Sequence, residues 1–153
     1  MRKYFGILIV LCVLAGCTQP GLNTNQPLMG NADHTLAEYK DSVETWPQPL
    51  PEEDSYPVTP TGLSQDEYYD EGFGTSFVAF YWRCAWMGSY LDSFDSGDSS
   101  GQRDSLMRLE QWQSISWVQE HVVDDPDAGW EQAILQPARL GDPSTMRTFH
   151  QSC

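Results

Sequence analysis

The chain has 153 residues, with eight Lys and Arg against 22 Asp and Glu, for a formal net charge of −14. Such acidity repels nucleic-acid phosphates and anionic headgroups alike, so no nucleic-acid partner is expected. The length allows one small core, at a size where a covalent staple is common.

The chain opens on Met1-Arg2-Lys3, a cationic start, followed by an uncharged run from Phe5 to Leu14. That run is about ten residues long, whereas a membrane-spanning helix needs roughly 20. It fits the apolar stretch of a secretory leader. The leader ends in Leu14-Ala15-Gly16-Cys17. This quartet resembles the bacterial lipoprotein signal: Leu, two small residues, then Cys. The resemblance implies that Leu14, Ala15 and Gly16 are removed with residues 1–16. The Cys17 thiol then takes a diacylglyceryl group, and palmitate-type acyl chains hold the protein to a membrane. One acyl chain is a marginal anchor, and two or three are firm.

Without Arg2 and Lys3 the mature chain keeps six cations against 22 carboxylates, a formal −16. Two cysteines remain after Cys12 leaves and Cys17 is lipidated: Cys84 and Cys153. In an exported protein such a pair reads as one disulfide, the alternative being two unpaired thiols.

Residues 17–62 read as a lipidated, acidic, disordered stalk. Seven of the ten prolines fall there, and Pro47-Gln48-Pro49-Leu50-Pro51 favours an extended polyproline rod. Leu36, Tyr39, Lys40 and Val43 predict one short helix between Thr35 and Glu44, needing a body to dock on.

Residues 63–153 read as a helical domain of four to five helices, so the fold class is mainly α. Ser64-Gln65-Asp66-Glu67 has capping-box form, with Leu63 and Tyr68 placed as its staple. Thr75 to Phe94 predicts the central buried helix, apolar on two adjoining stripes. One stripe holds Phe77, Phe80, Tyr81, Cys84, Met87, Leu91 and Phe94. The other holds Val78, Trp82, Ala85, Trp86 and Tyr90. Arg83 is the lone charge among them, expected to snorkel to the surface.

Residues 92–101 predict a loop, and Arg103 to Val122 a helix with Leu109, Trp112, Ile115 and Val122 inward. Asp125-Pro126 and Asp142-Pro143 predict short helices over 126–136 and 143–151, the first ended by Pro137. Met146, Phe149 and Cys153 share the apolar side of the last one, so Cys84 and Cys153 are both expected to point inward.

Tyr69 to Leu91, with Gly72-Phe73-Gly74 and then Tyr81-Trp82-Arg83-Cys84-Ala85-Trp86, resembles small exported actinobacterial proteins. In those, a segment like Trp46-Pro47-Gln48-Pro49-Leu50-Pro51 precedes the same kind of helix. The resemblance implies a source and a topology and carries no catalytic residue.

The loop acids Asp92, Asp95 and Asp98 miss the calcium-loop pattern: counting from Asp92, the sixth residue is Gly97 but the twelfth is Arg103. His34, His121 and His150 stand in no catalytic or metal motif, and no cofactor signature is present. Trp82, Trp86, Trp112 and Trp117 are candidate binding residues for a peptide or glycan, because an exposed indole is a flat amphipathic platform. The expected function is a membrane-anchored surface interaction or scaffold module rather than an enzyme. The alternative is a solute- or cation-binding accessory of a transporter or envelope machine, and a hydrolase comes third. Thr18 and Gln19 lack the Asp that retains lipoproteins at an inner membrane, so the expected place is the extracytoplasmic face of a single cytoplasmic membrane.

Overall fold

The computed structural model describes residues 29–122 and 129–153. The leader, the quartet Leu14-Ala15-Gly16-Cys17 and the Asp125-Pro126 helix start lie outside the described residues. The protein is mainly helical, with one two-stranded sheet. The described elements are β1 (Met29–Asn31), α1 (Ala32–Thr45), β2 (Tyr68–Asp70), α2 (Phe73–Ser96), α3 (Ser99–Leu109), α4 (Ser116–His121), α5 (Gln136–Arg139) and α6 (Ser144–His150). Among the described residues no helix is long and apolar enough to cross a membrane.

The central helix is α2, as its apolar circumference predicts, and it carries the core. Trp82, Met87 and Val78 are fully buried, with Trp86, Tyr90 and Leu91 nearly so. Against them pack Leu109, Trp112, Ile115 and Val118 from the following segment, and Ile134, Leu135, Ala138 and Met146 from the C-terminal helices. Trp82 stacks on Trp112 at 6.3 Å and 11°. Tyr90 donates its hydroxyl to the Ala138 carbonyl at 2.9 Å, so its buried polar tip is satisfied.

Residues 29–62 are not a free stalk. They fold onto the body, so the folded part includes the described residues from Met29 and not only those from 63. β1 pairs antiparallel with β2, Gly30 opposite Tyr69. Asn31 caps α1 by accepting from the His34 N–H. The buried face of α1 is Ala32, Thr35, Tyr39 and Ser42, so of the predicted Leu36, Tyr39, Lys40 and Val43 stripe only Tyr39 belongs to it. The reason is a close crossing. An added Cβ on Gly74 would stand 2.5 Å from the Thr35 carbonyl oxygen and 2.6 Å from the Tyr39 nitrogen. Glycine at 74 admits that approach, and Ser42 bridges the crossing through a 2.8 Å hydrogen bond to Thr75. Glu38 completes the joint by accepting from the Gly72 N–H at 2.6 Å and the Gly74 N–H at 2.7 Å. Those are orphan donors at the start of α2, where a carboxylate is favoured.

The proline-rich segment 46–60 is a strap across α2. An extended proline chain leaves its carbonyls without ladder partners, and here indole and phenol donors supply them. Pro49 O accepts from both Trp82 Nε1 at 2.8 Å and Trp86 Nε1 at 2.9 Å. Tyr81 donates to Ser55 O and Tyr39 to Pro57 O. Trp46 and Leu50 pack on the core beneath the strap.

Other local expectations shift for physical reasons. Ser64 starts no helix; its hydroxyl accepts from the Asp66 N–H in a turn leading to β2, which the capping-box reading missed. The predicted 92–101 loop is mostly helix. α2 runs to Ser96, Gly97 turns the chain at φ 75°, and Asp98 caps α3 from the Ser100 N–H. The predicted 103–122 helix breaks after Leu109 into a tight turn at Trp112–Ser114 and then α4. Pro137 does not stop the chain's helical course, because a wide i→i+5 turn over Glu131–Leu135 leads into α5. The missing N–H of a proline is tolerated next to such a bulge. The last helix falls where expected, and hydrogen bonds from Ser144 hold the Asp142 carboxyl below its usual range.

The Cys84–Cys153 disulfide is present, closing 69 residues with a Cα–Cα separation of 5.9 Å. The inward expectation holds in part: Cys84 is half-buried and packs against the core, whereas Cys153 is exposed, since it lies beyond the end of α6.

Candidate binding grooves

Two solvent-open grooves flank the disulfide and share Tyr81, Cys84 and Cys153 as a common wall. The larger holds about 560 Å³. Its floor is the face of α2 marked by Ala85, Gly88, Ser89 and Asp92; the strap supplies Glu52, Glu53 and Asp54, and His150 closes one side. The smaller holds about 370 Å³ and is aromatic: Phe73, Phe77, Phe80 and Tyr81 face Pro57 and Pro60 of the strap. No charged residue lines it. Phe73 and Phe80 stay 40% and 38% exposed.

Tyr56 sits above this junction with its ring 5.3 Å from that of Tyr81. Burial, reinforced by Tyr39 and Tyr81, pushes the Tyr56 phenol well above its ordinary range. Burial also raises Tyr39. Both therefore remain neutral, and the Tyr39 hydroxyl keeps the proton it donates to the strap.

The predicted tryptophan platform is not there. Trp82, Trp86 and Trp112 are core residues, buried because the strap and the Trp112–Ser114 turn cover them. Trp117 is half-buried, stacked on His121 at 4.9 Å, and its Nε1 is buried without a partner. The exposed aromatic surface is made by phenylalanines instead. Its sequence signal was the Phe73–Phe77–Phe80–Tyr81 spacing on α2, which reads as core until Tyr39 of α1 and Pro57 and Pro60 of the strap are seen to line a groove over it.

Arg83 does not snorkel. Its guanidinium lies 4.6 Å from the Trp112 ring centroid, 4.8 Å from Phe80 and Phe149, and 5.2 Å from Trp130. Nε is buried without a hydrogen-bond partner. Burial pulls the group down from its ordinary value to about 10, so it stays charged at neutral pH. Four ring faces take the place of a carboxylate, tying α2 to three later segments. Arg83→Lys is expected to lower stability by about 1–2 kcal/mol, since an ammonium cannot stack as a planar fork does. An unchanged urea midpoint would show that the rings do not hold the charge.

The three loop acids have separate tasks. Asp98 caps α3, Asp95 pairs with Arg147 at 2.7 Å, and Asp92 borders the larger groove. The hydrogen bond from Arg147 keeps the Asp95 carboxyl below its usual range. Among the described residues no three His, Cys, Asp or Glu converge as a metal site. His34, His121 and His150 lie apart on α1, α4 and α6. No protein-family model, curated protein or solved structure matches the chain.

Proposed function

We propose that the mature protein is a lipid-anchored recognition module on the extracytoplasmic face of the cytoplasmic membrane, with no chemistry of its own. The observation that carries it is the pair of adjoining open grooves, one aromatic and one acidic, beside a disulfide suited to an oxidising exterior. The lipoprotein-like quartet ending at Cys17 supplies the anchor. A bound cation or solute is the second reading, favoured by the carboxylates of the larger groove.

With the folded body reaching back to Met29, the eleven residues 18–28 separate it from the lipidated Cys17. Eleven residues span at most about 40 Å at full extension. The partner is therefore near the membrane surface, as a membrane protein or a neighbouring envelope protein would be.

Two measurements test this. Cys17→Ser should move the protein from the membrane fraction to the soluble one; unchanged retention would remove the anchor. A photo-crosslinking residue in place of Thr61, an exposed position on the aromatic groove, should give a discrete adduct in intact cells that disappears with Cys17→Ser. Failure to form any adduct would remove the recognition role.

A further inference from the structure

The aromatic groove adjoins the acidic one across the wall formed by Tyr81, Cys84 and Cys153, and that adjacency indicates its occupant. We infer that the paired grooves hold a basic, apolar peptide segment of a partner protein, with aliphatic or aromatic side chains in the aromatic groove and a Lys or Arg in the acidic one. The inference rests on the recognition role proposed above and adds the chemistry of what is recognised.

Charge complementarity carries the argument. Glu52, Glu53, Asp54 and Asp92 line the larger groove. The ion pairs formed among the described residues lie elsewhere, at Arg139 with Glu110 and Glu131 and at Arg147 with Asp95. The four groove carboxylates thus face solvent without a counter-cation of their own chain. They are spread along the rim instead of converging on one point, which suits an ammonium or guanidinium on a flexible stem better than a chelated ion. Across the shared wall, Phe73, Phe77 and Phe80 offer apolar ring surface in a groove lined by no charged side chain, the Arg83 guanidinium being held against the Phe80 ring among four rings. A ligand crossing that wall meets apolar surface first and negative charge next. A basic, apolar strand or helix carries those two features within a few residues of one another.

The other candidates fit less well. A second copy of this chain, at a formal −16, repels the groove, as does an anionic lipid surface. A neutral glycan leaves the carboxylates unused. A neutral proline-rich segment also ignores them, and the donors it needs are committed: Tyr39, Tyr81, Trp82 and Trp86 already bind the strap.

The experiment uses the full lipidated protein in phosphatidylcholine nanodiscs, with empty discs as the blank. Three fluorescein-labelled nine-residue peptides serve as probes: Lys alternating with Leu, Lys with Ser, and Glu with Leu. The Lys–Leu peptide should bind by fluorescence anisotropy and the other two at least about tenfold more weakly. Glu52→Lys with Glu53→Lys, both exposed positions, should weaken Lys–Leu binding about tenfold or more and reverse the preference toward Glu–Leu. Phe73→Ser should weaken it without changing the charge preference. Near-ultraviolet circular dichroism checks that each variant keeps its packing. Equal binding of Lys–Leu and Glu–Leu, or indifference to the charge reversal, overturns the basic ligand. Equal binding of Lys–Leu and Lys–Ser overturns the aromatic contribution. A Thr61 adduct that persists in the charge-reversed variant leaves the recognition role standing and rejects this ligand class; absence of any adduct rejects both.

Discussion

Removing the Cys84–Cys153 bridge, by reduction or by Cys84→Ser with Cys153→Ser, should lower unfolding stability by about 4 kcal/mol in the chain-entropy account of cross-links. The size follows from the 69 residues the bond closes, since a longer loop loses more freedom in the unfolded chain. Set against the roughly 5–15 kcal/mol of a whole domain, this is a large share. In the folded state the effect is local. α6 keeps Met146 in the core and Arg147 on Asp95, while residues 151–153 are exposed and lose their attachment. Both grooves also lose a wall residue, so peptide affinity should fall together with stability. Urea unfolding of oxidised and reduced protein measures the difference, and a shift below about 1 kcal/mol would mean that the unfolded chain is already compact.

Gly74→Ala should destabilise the fold by about 3 kcal/mol or more, from overpacking together with lost charge-assisted hydrogen bonds. The sign is the diagnostic part. In an ordinary helix interior, replacing Gly by Ala gains up to about 1 kcal/mol. Here the new methyl meets backbone atoms of Thr35 and Tyr39 and the Glu38 Cβ at 2.9 Å, and backbone cannot swing aside. α1 must lift from α2, which separates Glu38 from the Gly72 and Gly74 N–H groups and Ser42 from Thr75. The strap would loosen as well, because Tyr39 holds it through Pro57. Limited proteolysis should then cut first within residues 29–62 in the variant and not in the parent protein. A variant as stable as the parent would show that the α1–α2 crossing is wider than described.

The comparison of these two sites shows what kind of information each level holds. The disulfide was legible because it follows from counting: two cysteines remain after the leader, in a chain expected outside the cell. The joint at Gly74 was not, because Gly72-Phe73-Gly74 carries the same local signal whether it makes a turn or admits a neighbouring helix. Ser64 and Glu67 satisfy a capping pattern, yet Ser64 ends in a turn before β2, since three residues gained a strand partner at Met29–Asn31. The phenylalanine stripe and the tryptophan stripe of α2 both read as core, and which rings were buried depended on where the strap lies.

By itself the chain determined its acidity, its central helix, its last helix and its cross-link, because each depends on composition or on residues within a turn or two. Only the tertiary structure decided that the proline-rich segment is a strap, that phenylalanine rather than tryptophan stays exposed, and that Arg83 is enclosed by rings. Those outcomes depend on which distant surfaces meet: the strap's unpaired carbonyls needed donors, and the indoles of Trp82 and Trp86 supplied them from α2.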